Sequence, residues 1–304
     1  MNYHKIFADI CSEIHQKEDK GVVASYIPEL KKVDKDKFGV YMSMINGEHS
    51  AYGDWEEKFS IQSISKVLTL VLAYKSEGEK LWKRVGVEPP GTPFNSLVLL
   101  EHENGIPRNP LINAGALVIC DILLDTCSSP KEEFLDFVRE LAGNDSLEYN
   151  QAVAESEKAT SFRNAAAANL IKSFGNLKNK VDDVLDLYAY TCSIDMTCAD
   201  LAHSFQFLAT DGYDKKSKKQ IISVSRSKRL NALMQLCGFY DQAGEFSVKI
   251  GLPGKSGVGG GIVAVLPDHY AIAVWSPGLN EKGNSYLGME FLELFTTKTE
   301  YSIF

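Results

Sequence analysis

Ser63-Ile64-Ser65-Lys66 places a hydroxyl and an amine three residues apart, at the entrance to the apolar run Val67-Leu68-Thr69-Leu70-Val71-Leu72-Ala73. On a helix, positions three apart share a face, so the Lys66 amine can lie beside the Ser63 hydroxyl, and the helix N-terminus stabilises developing negative charge. A serine hydroxyl becomes a useful nucleophile only when a neighbouring base takes its proton. Lysine can be that base where burial or nearby positive charge lowers its pKa, and an apolar helix entrance supplies burial. The pattern points to acyl transfer through Ser63 with Lys66 as base.

S-x-x-K occurs three times, at Ser63, at Ser128 with Lys131 and at Ser225 with Lys228, so context has to choose. Ser128 precedes Ser129-Pro130-Lys131-Glu132-Glu133, which reads as a loop capping a helix, and Ser225 lies in a basic, solvated stretch. Only the first copy opens a core helix. The motif by itself still favours a simpler reading, with Ser63 as an N-cap and Lys66 as a surface charge.

A second chemical candidate is Gly251-Leu252-Pro253-Gly254-Lys255-Ser256-Gly257-Val258-Gly259-Gly260-Gly261. A phosphate-binding loop would need glycine where Lys249 stands and a helix afterwards, where the pattern is a strand. The dinucleotide fingerprint fails for the same lack of a following helix. Glycines at a strand entrance mark a bulge or a close backbone approach, and backbone N–H groups on a strand edge can also form an oxyanion hole.

Elements that could position these groups are legible as periodicities. Residues 38–53 alternate around Asn46-Gly47, a hairpin signal, and Ile262–Leu266 and Tyr270–Trp275 flank a turn at Pro267-Asp268-His269. Apolar spacings of three and four predict helices at about 64–77, 113–126, 131–142, 162–174, 181–190, 197–210, 226–237 and 285–296. Strands at both ends and helices between them imply one antiparallel sheet assembled from distant segments, with Ser63 at its junction with the helical part.

With 304 residues, 44% hydrophobic and 24% charged, the chain can build a large core, and neither a linker nor a repeat divides it. A net charge of -8 argues against nucleic acid, and Lys215–Lys219 and Arg226–Arg229 read as an exposed loop. No apolar stretch approaches membrane-spanning length and Met1–Ile6 lacks a secretory apolar segment, so a cytoplasmic location away from membranes is expected. Cys11, Cys120, Cys127, Cys192, Cys198 and Cys237 show no C-x-x-C pair and read as reduced core residues. No metal site or cofactor is expected from these patterns.

S-x-x-K followed by Lys255-Ser256-Gly257 resembles the serine β-lactamases and penicillin-binding proteins, although the Ser-x-Asn triplet of that set is missing. Seven ordered motifs resemble a more specific family, the serine-dependent, β-lactamase-like glutaminases. They are Tyr26-Ile27-Pro28-Glu29-Leu30, Gln62-Ser63-Ile64-Ser65-Lys66, Asn109-Pro110-Leu111-Ile112-Asn113-Ala114-Gly115-Ala116, Ser156-Glu157 with Arg163-Asn164, Leu187-Tyr188 before Cys192-Ser193-Ile194, Cys237-Gly238-Phe239-Tyr240-Asp241, and Lys255-Ser256-Gly257-Val258. The resemblance implies an α+β, β-lactamase/transpeptidase-like fold in one catalytic domain over residues 1–304. Its sheet part would span about 1–62 and 238–304, and its helical part about 63–237.

By that resemblance the chain hydrolyses L-glutamine to L-glutamate and ammonia without a cofactor. Ser63 attacks the amide, Lys66 takes its proton, and the N–H groups of Ser63 and Val258 hold the oxyanion. Tyr240 relays a proton to ammonia and activates water, which requires its phenol pKa to fall and therefore places Lys66 close to it. Tyr26, Asn113, Glu157, Asn164 and Tyr188 recognise the substrate with Ser63, Tyr240 and Val258. Glu157, the carboxylate among them, is the natural ammonium partner. A homodimer or homotetramer is implied by analogy. Taken singly, each recognition residue has a structural explanation: Tyr26 and Tyr188 in the core, Asn113 and Asn164 as caps, Glu157 as a solvated acid. Two other readings stay open, a serine amidohydrolase acting on asparagine or a peptide, and a non-catalytic amino-acid-binding or assembly protein.

Overall fold

Strands that bury both faces must satisfy two cores at once, and the central strands here do so by alternation. The computed structural model describes residues 1–89 and 97–304. Its helices are α1 (Tyr3–Ile14), α2 (Ser65–Glu77), α3 (Val98–His102), α4 (Asn113–Thr126), α5 (Pro130–Ala142), α6 (Gln151–Thr160), α7 (Phe162–Ser173), α8 (Val181–Cys192), α9 (Cys198–Ala209), α10 (Val224–Cys237), α11 (Ala243–Lys249) and α12 (Tyr286–Thr299). Its strands are β1 (Val22–Val23), β2 (Gly39–Met44), β3 (His49–Gly53), β4 (Phe59–Ser60), β5 (Asp195–Met196), β6 (Tyr213–Asp214), β7 (Lys219–Gln220), β8 (Gly254–Ser256), β9 (Gly261–Leu266), β10 (Tyr270–Trp275) and β11 (Gly278–Leu279).

The main sheet has the order β3-β2-β10-β9-β8, and every neighbouring pair is antiparallel. Val40 pairs with Val274, and Ile272 lies between Met42 and Ala264. These residues face a core shared with Phe7 and Ile10 of α1 and Phe291 and Phe295 of α12. Their neighbours Tyr41, Val263, Ala271 and Ala273 face the opposite core, built with Val67 of α2, Leu117 of α4, Leu187 of α8 and Phe205 of α9. The fold is α+β, as expected.

Both hairpins lie where alternation placed them, and all eight expected helices are present, with α12 running on to Thr299. The chain does not begin with a strand, however. Its first element is α1, which buries Phe7, Ile10, Cys11 and Ile14 against the sheet and α12. Of the two clusters only Lys215–Lys219 lies on an exposed turn, with Lys219 opening β7. Arg226–Arg229 form the first turns of α10, where Arg226 donates to the Tyr74 carbonyl at 2.9 Å and Arg229 pairs with Glu79. The six cysteines are unpaired, and Cys127 is half-buried rather than core.

Helix α4 is pinned to the loop before α8 by one fully buried carboxylate. Asp121 accepts from Arg84 (2.5 Å) and from the backbone N–H groups of Lys178 (3.0 Å) and Asn179 (2.8 Å). Burial pushes its pKa up, but these donors outweigh burial and leave it below the ordinary value. Asp121→Ala strands a guanidinium and two N–H groups, so urea unfolding at pH 7 should show a loss of about 3–5 kcal/mol. In the parent protein that stabilisation is present above the unfolded carboxyl pKa and is lost as pH falls through the lowered folded pKa.

Candidate active site

β4 pairs with β5 and delivers the chain into a single 3-10 turn, Gln62–Ile64, immediately before α2. Ser63 therefore sits in a turn ahead of the helix rather than in its first turn. Gln62 has φ of 49°, a left-handed conformation that a side-chain-bearing residue adopts only when its surroundings impose it. Its Nε2 donates to Ser60 Oγ (3.0 Å), which in turn donates to the Cys192 carbonyl (3.0 Å). From the other side the 257–260 turn presses on this segment. A Cβ at Gly257 would lie 2.5 Å from the Ile61 carbonyl oxygen, and one at Gly259 would overlap that of Ser60. The glycines at the strand entrance mark a close backbone approach, which brings Val258 to the nucleophile's turn.

Lys66 is not a surface charge. It is 1% exposed, and its Nζ donates to Ser63 Oγ at 2.9 Å and to Asn113 Oδ1 at 2.5 Å. Burial lowers its pKa to about 8, against an opposing influence of Cys192 and Glu157. Asn113, the first residue of α4, continues the network by donating to Asn164 Oδ1 at 3.0 Å. The turn before α4 is fixed by Asn109, whose Oδ1 accepts from the N–H groups of Leu111 and Ile112. The other two S-x-x-K serines are exposed and lie at helix starts.

A cavity of about 450 Å³ opens over Ser63. Tyr26, Asn113, Glu157, Asn164, Tyr188, Tyr240 and Val258 all line it, so the structure gathers every expected recognition residue around one space, with Lys66 directly behind. Tyr26 is 57% exposed and Tyr188 buried, so they occupy opposite depths. Glu157 is 8% exposed, its Oε2 has no hydrogen-bond partner, and burial raises its pKa, with Lys66 opposing. A buried acceptor without a donor fits a cationic ligand group. Gln62 and the α6–α7 junction, Thr160 to Arg163, complete the wall.

Tyr240 departs from expectation. Its phenol hydrogen-bonds Ser63, yet burial outweighs that contact and pushes its pKa up to about 12 rather than down. The amine over its ring is that of Lys255, with Nζ 4.4 Å from the centroid. Lys255 was not among the expected site residues. It is fully buried and donates to the carbonyls of Gly238 (2.9 Å) and Ser256 (2.6 Å). Burial, followed by the charge on Lys66, holds its pKa well below the ordinary value. A lysine inside a glycine-rich strand reads as solvated, and only its place in a Lys-Ser-Gly triplet hinted otherwise.

A buried serine at the sheet edge that hydrogen-bonds both a buried lysine and a buried tyrosine defines a site of the type used for acyl transfer. A family model described as Glutaminase matches residues 21–304. A glutaminase of Saccharophagus degradans is 57% identical over 304 residues, covering 100% of this chain and 99% of that protein. Among solved structures, a probable glutaminase named YbaS superposes with a TM-score of 0.92 at 32% identity, covering 100% and 99% of the two chains. A probable glutaminase from Bacillus subtilis complexed with 6-diazo-5-oxo-L-norleucine gives a TM-score of 0.86 at 32% identity, covering 99% and 95%. The chain belongs to the glutaminase family, amidohydrolases that act on glutamine. Among the described residues no helix is long and apolar enough to cross a membrane.

If neutral Lys66 is the working base, kcat/KM should rise with pH through a midpoint near 8 and level off above it. Asn113→Asp puts a carboxylate against the Lys66 ammonium, so that limb should move up by roughly 1–3 units. A limb that stays in place would show that another group titrates.

Proposed function

We propose that the chain hydrolyses L-glutamine to L-glutamate and ammonia through a γ-glutamyl ester on Ser63, with residues 1–304 working as one catalytic unit. The observation that carries this reading is the 2.9 Å hydrogen bond between Lys66 Nζ and Ser63 Oγ, at the floor of a cavity whose wall holds the partnerless Glu157 oxygen. A base and a nucleophile in contact suit amide attack, and the carboxylate suits the ammonium of a free amino acid. The norleucine derivative bound by the Bacillus relative has the chain length of glutamine with a diazo ketone at the amide position.

In this mechanism neutral Lys66 takes the Ser63 proton as Oγ attacks the side-chain amide carbon. The oxyanion is held by the N–H groups of Ser63 and Val258. The proton passes from Lys66 through the Tyr240 hydroxyl to the departing nitrogen, the C–N bond breaks, and ammonia leaves. Water then attacks the ester while Lys66 takes its proton and returns it to Ser63, which releases glutamate. A phenol with a pKa near 12 stays protonated between turnovers, so Tyr240 serves as a two-way relay and never accumulates as a phenolate. Glu157 pairs with the substrate ammonium, while Tyr26, Asn113, Asn164 and Tyr188 fix its remaining polar groups and stem. The reading extends, by resemblance, to a cytoplasmic homodimer or homotetramer, which cell fractionation and light scattering would check.

Purified protein given L-glutamine should release ammonia and glutamate in equal amounts, and Ser63→Ala should abolish both. Glu157→Gln should raise KM about 10- to 100-fold through loss of a charged hydrogen bond. Silence from well-folded parent protein would sink the assignment. Comparable turnover of asparagine would move it to a broader amidohydrolase.

A further inference from the structure

Tyr240 has φ of 55°, so the residue read above as the proton relay sits in the left-handed region without being glycine. Such a conformation persists only where neighbouring contacts hold it. Besides Ser63 at the Tyr240 hydroxyl and Lys255 over its ring, the turn is held by the loop 280–284 between β11 and α12. Gln242 Oε1 accepts from Asn280 Nδ2 (3.0 Å) and from Asn284 Nδ2 (2.8 Å), and Asp241 pairs with Lys282 at 2.6 Å. The aspartate–lysine pair is solvent-facing and contributes little. The carboxamide contact is different, because Asn284 is fully buried.

The amide orientation of Gln242 is decided by chemistry. Its Nε2 donates to Glu245 Oε2 at 2.9 Å, and a carboxylate can only accept there, so Oε1 must face the two asparagine amides. The loop that offers those amides is itself stiff. Asn280 Oδ1 accepts from the N–H groups of Lys282 and Asn284, and the Asn280 N–H donates to the Asn284 carbonyl at 2.8 Å. A rigid clamp therefore grips the chain two residues after Tyr240, within the same 3-10 turn, Tyr240–Gln242.

We propose that Gln242 is a positioning residue for Tyr240: its carboxamide oxygen, held by Asn280 and Asn284, keeps Tyr240 in its left-handed conformation and the phenol on the Ser63 hydroxyl. The proposal rests on the reading of Tyr240 as the relay. Gln242 does not line the substrate cavity, so its loss should slow chemistry and leave binding alone.

The test uses the full chain and five variants. Gln242→Met keeps the volume and removes the acceptor; kcat should fall about 10- to 100-fold with KM within about threefold, since a small misplacement of a reacting group is costly. Inactivation by a diazo-ketone analogue of glutamine should slow in parallel. The exchange Gln242→Glu with Glu245→Gln restores an acceptor for both amides and a donor to it, and should bring kcat back, while Glu245→Gln alone should change little. Adding Gln242→Met to Tyr240→Phe should cost nothing further, because the clamp has then lost the group it positions. A kcat for Gln242→Met within about twofold of the parent, beside a crippled Tyr240→Phe, would overturn the positioning role and leave the relay intact. A fully active Tyr240→Phe would remove the relay itself, and full additivity in the double variant would reduce Gln242 to a general stabiliser.

Discussion

An amine kept out of water is the constraint on which this structure depends. Lys66 is useful beside Ser63 only because burial weakens its hold on a proton, and a dry lysine is expensive wherever it has no partner. The architecture meets that cost with two oxygens, from Ser63 and Asn113, and with a helix, α2, that buries nine of its thirteen residues. A second buried lysine, Lys255, lies on the other flank of the site, satisfied by two backbone carbonyls. There the charge on Lys66 adds repulsion to desolvation and makes the charged form of Lys255 less favourable.

Around that pair the fold divides its labour. The 60–62 segment and the 257–260 turn are locked backbone to backbone, which sets Ser63 opposite Val258 with little freedom in either. The helices supply the polar wall. α4 brings Asn113, α7 brings Asn164 and α8 brings Tyr188, each from an element anchored in the large core, and α6, packed on α8, brings Glu157. Rigid chemistry on one side and polar recognition on the other leave the cavity open toward Tyr26.

Much of the frame was legible because alternation and helical spacing report burial directly. β2, β3, β9 and β10 were visible since their residues serve two cores in strict turn. α6 was not, for it buries only Val153, Ala154 and Glu157 and carries almost no apolar stripe. α1 had the spacing but stood before the first strand signal, outside the pattern of strands at both ends. Within the site, Ser63 and Lys66 were readable as neighbours on one helical face. Glu157 and Tyr188 were readable only through the joint occurrence of seven motifs, since each alone has an ordinary structural explanation. The left-handed Gln62 and Tyr240 left no trace in residue type, because their conformations are imposed by tertiary contacts. The raised Tyr240 pKa left no trace either, because burial, which tertiary packing decides, sets it.

The register in which Val40 meets Val274 also has a meaning in time. A ribosome releases β2 and β3 before the helices α2 to α11 and long before β10, so the β2–β10 ladder cannot form until those helices have been made. Through that interval β2 presents an unpaired edge, a surface prone to mispairing with other chains. The Ser63 turn likewise waits for residues 257–260, the backbone that abuts it, until every helix from α2 to α11 has been made.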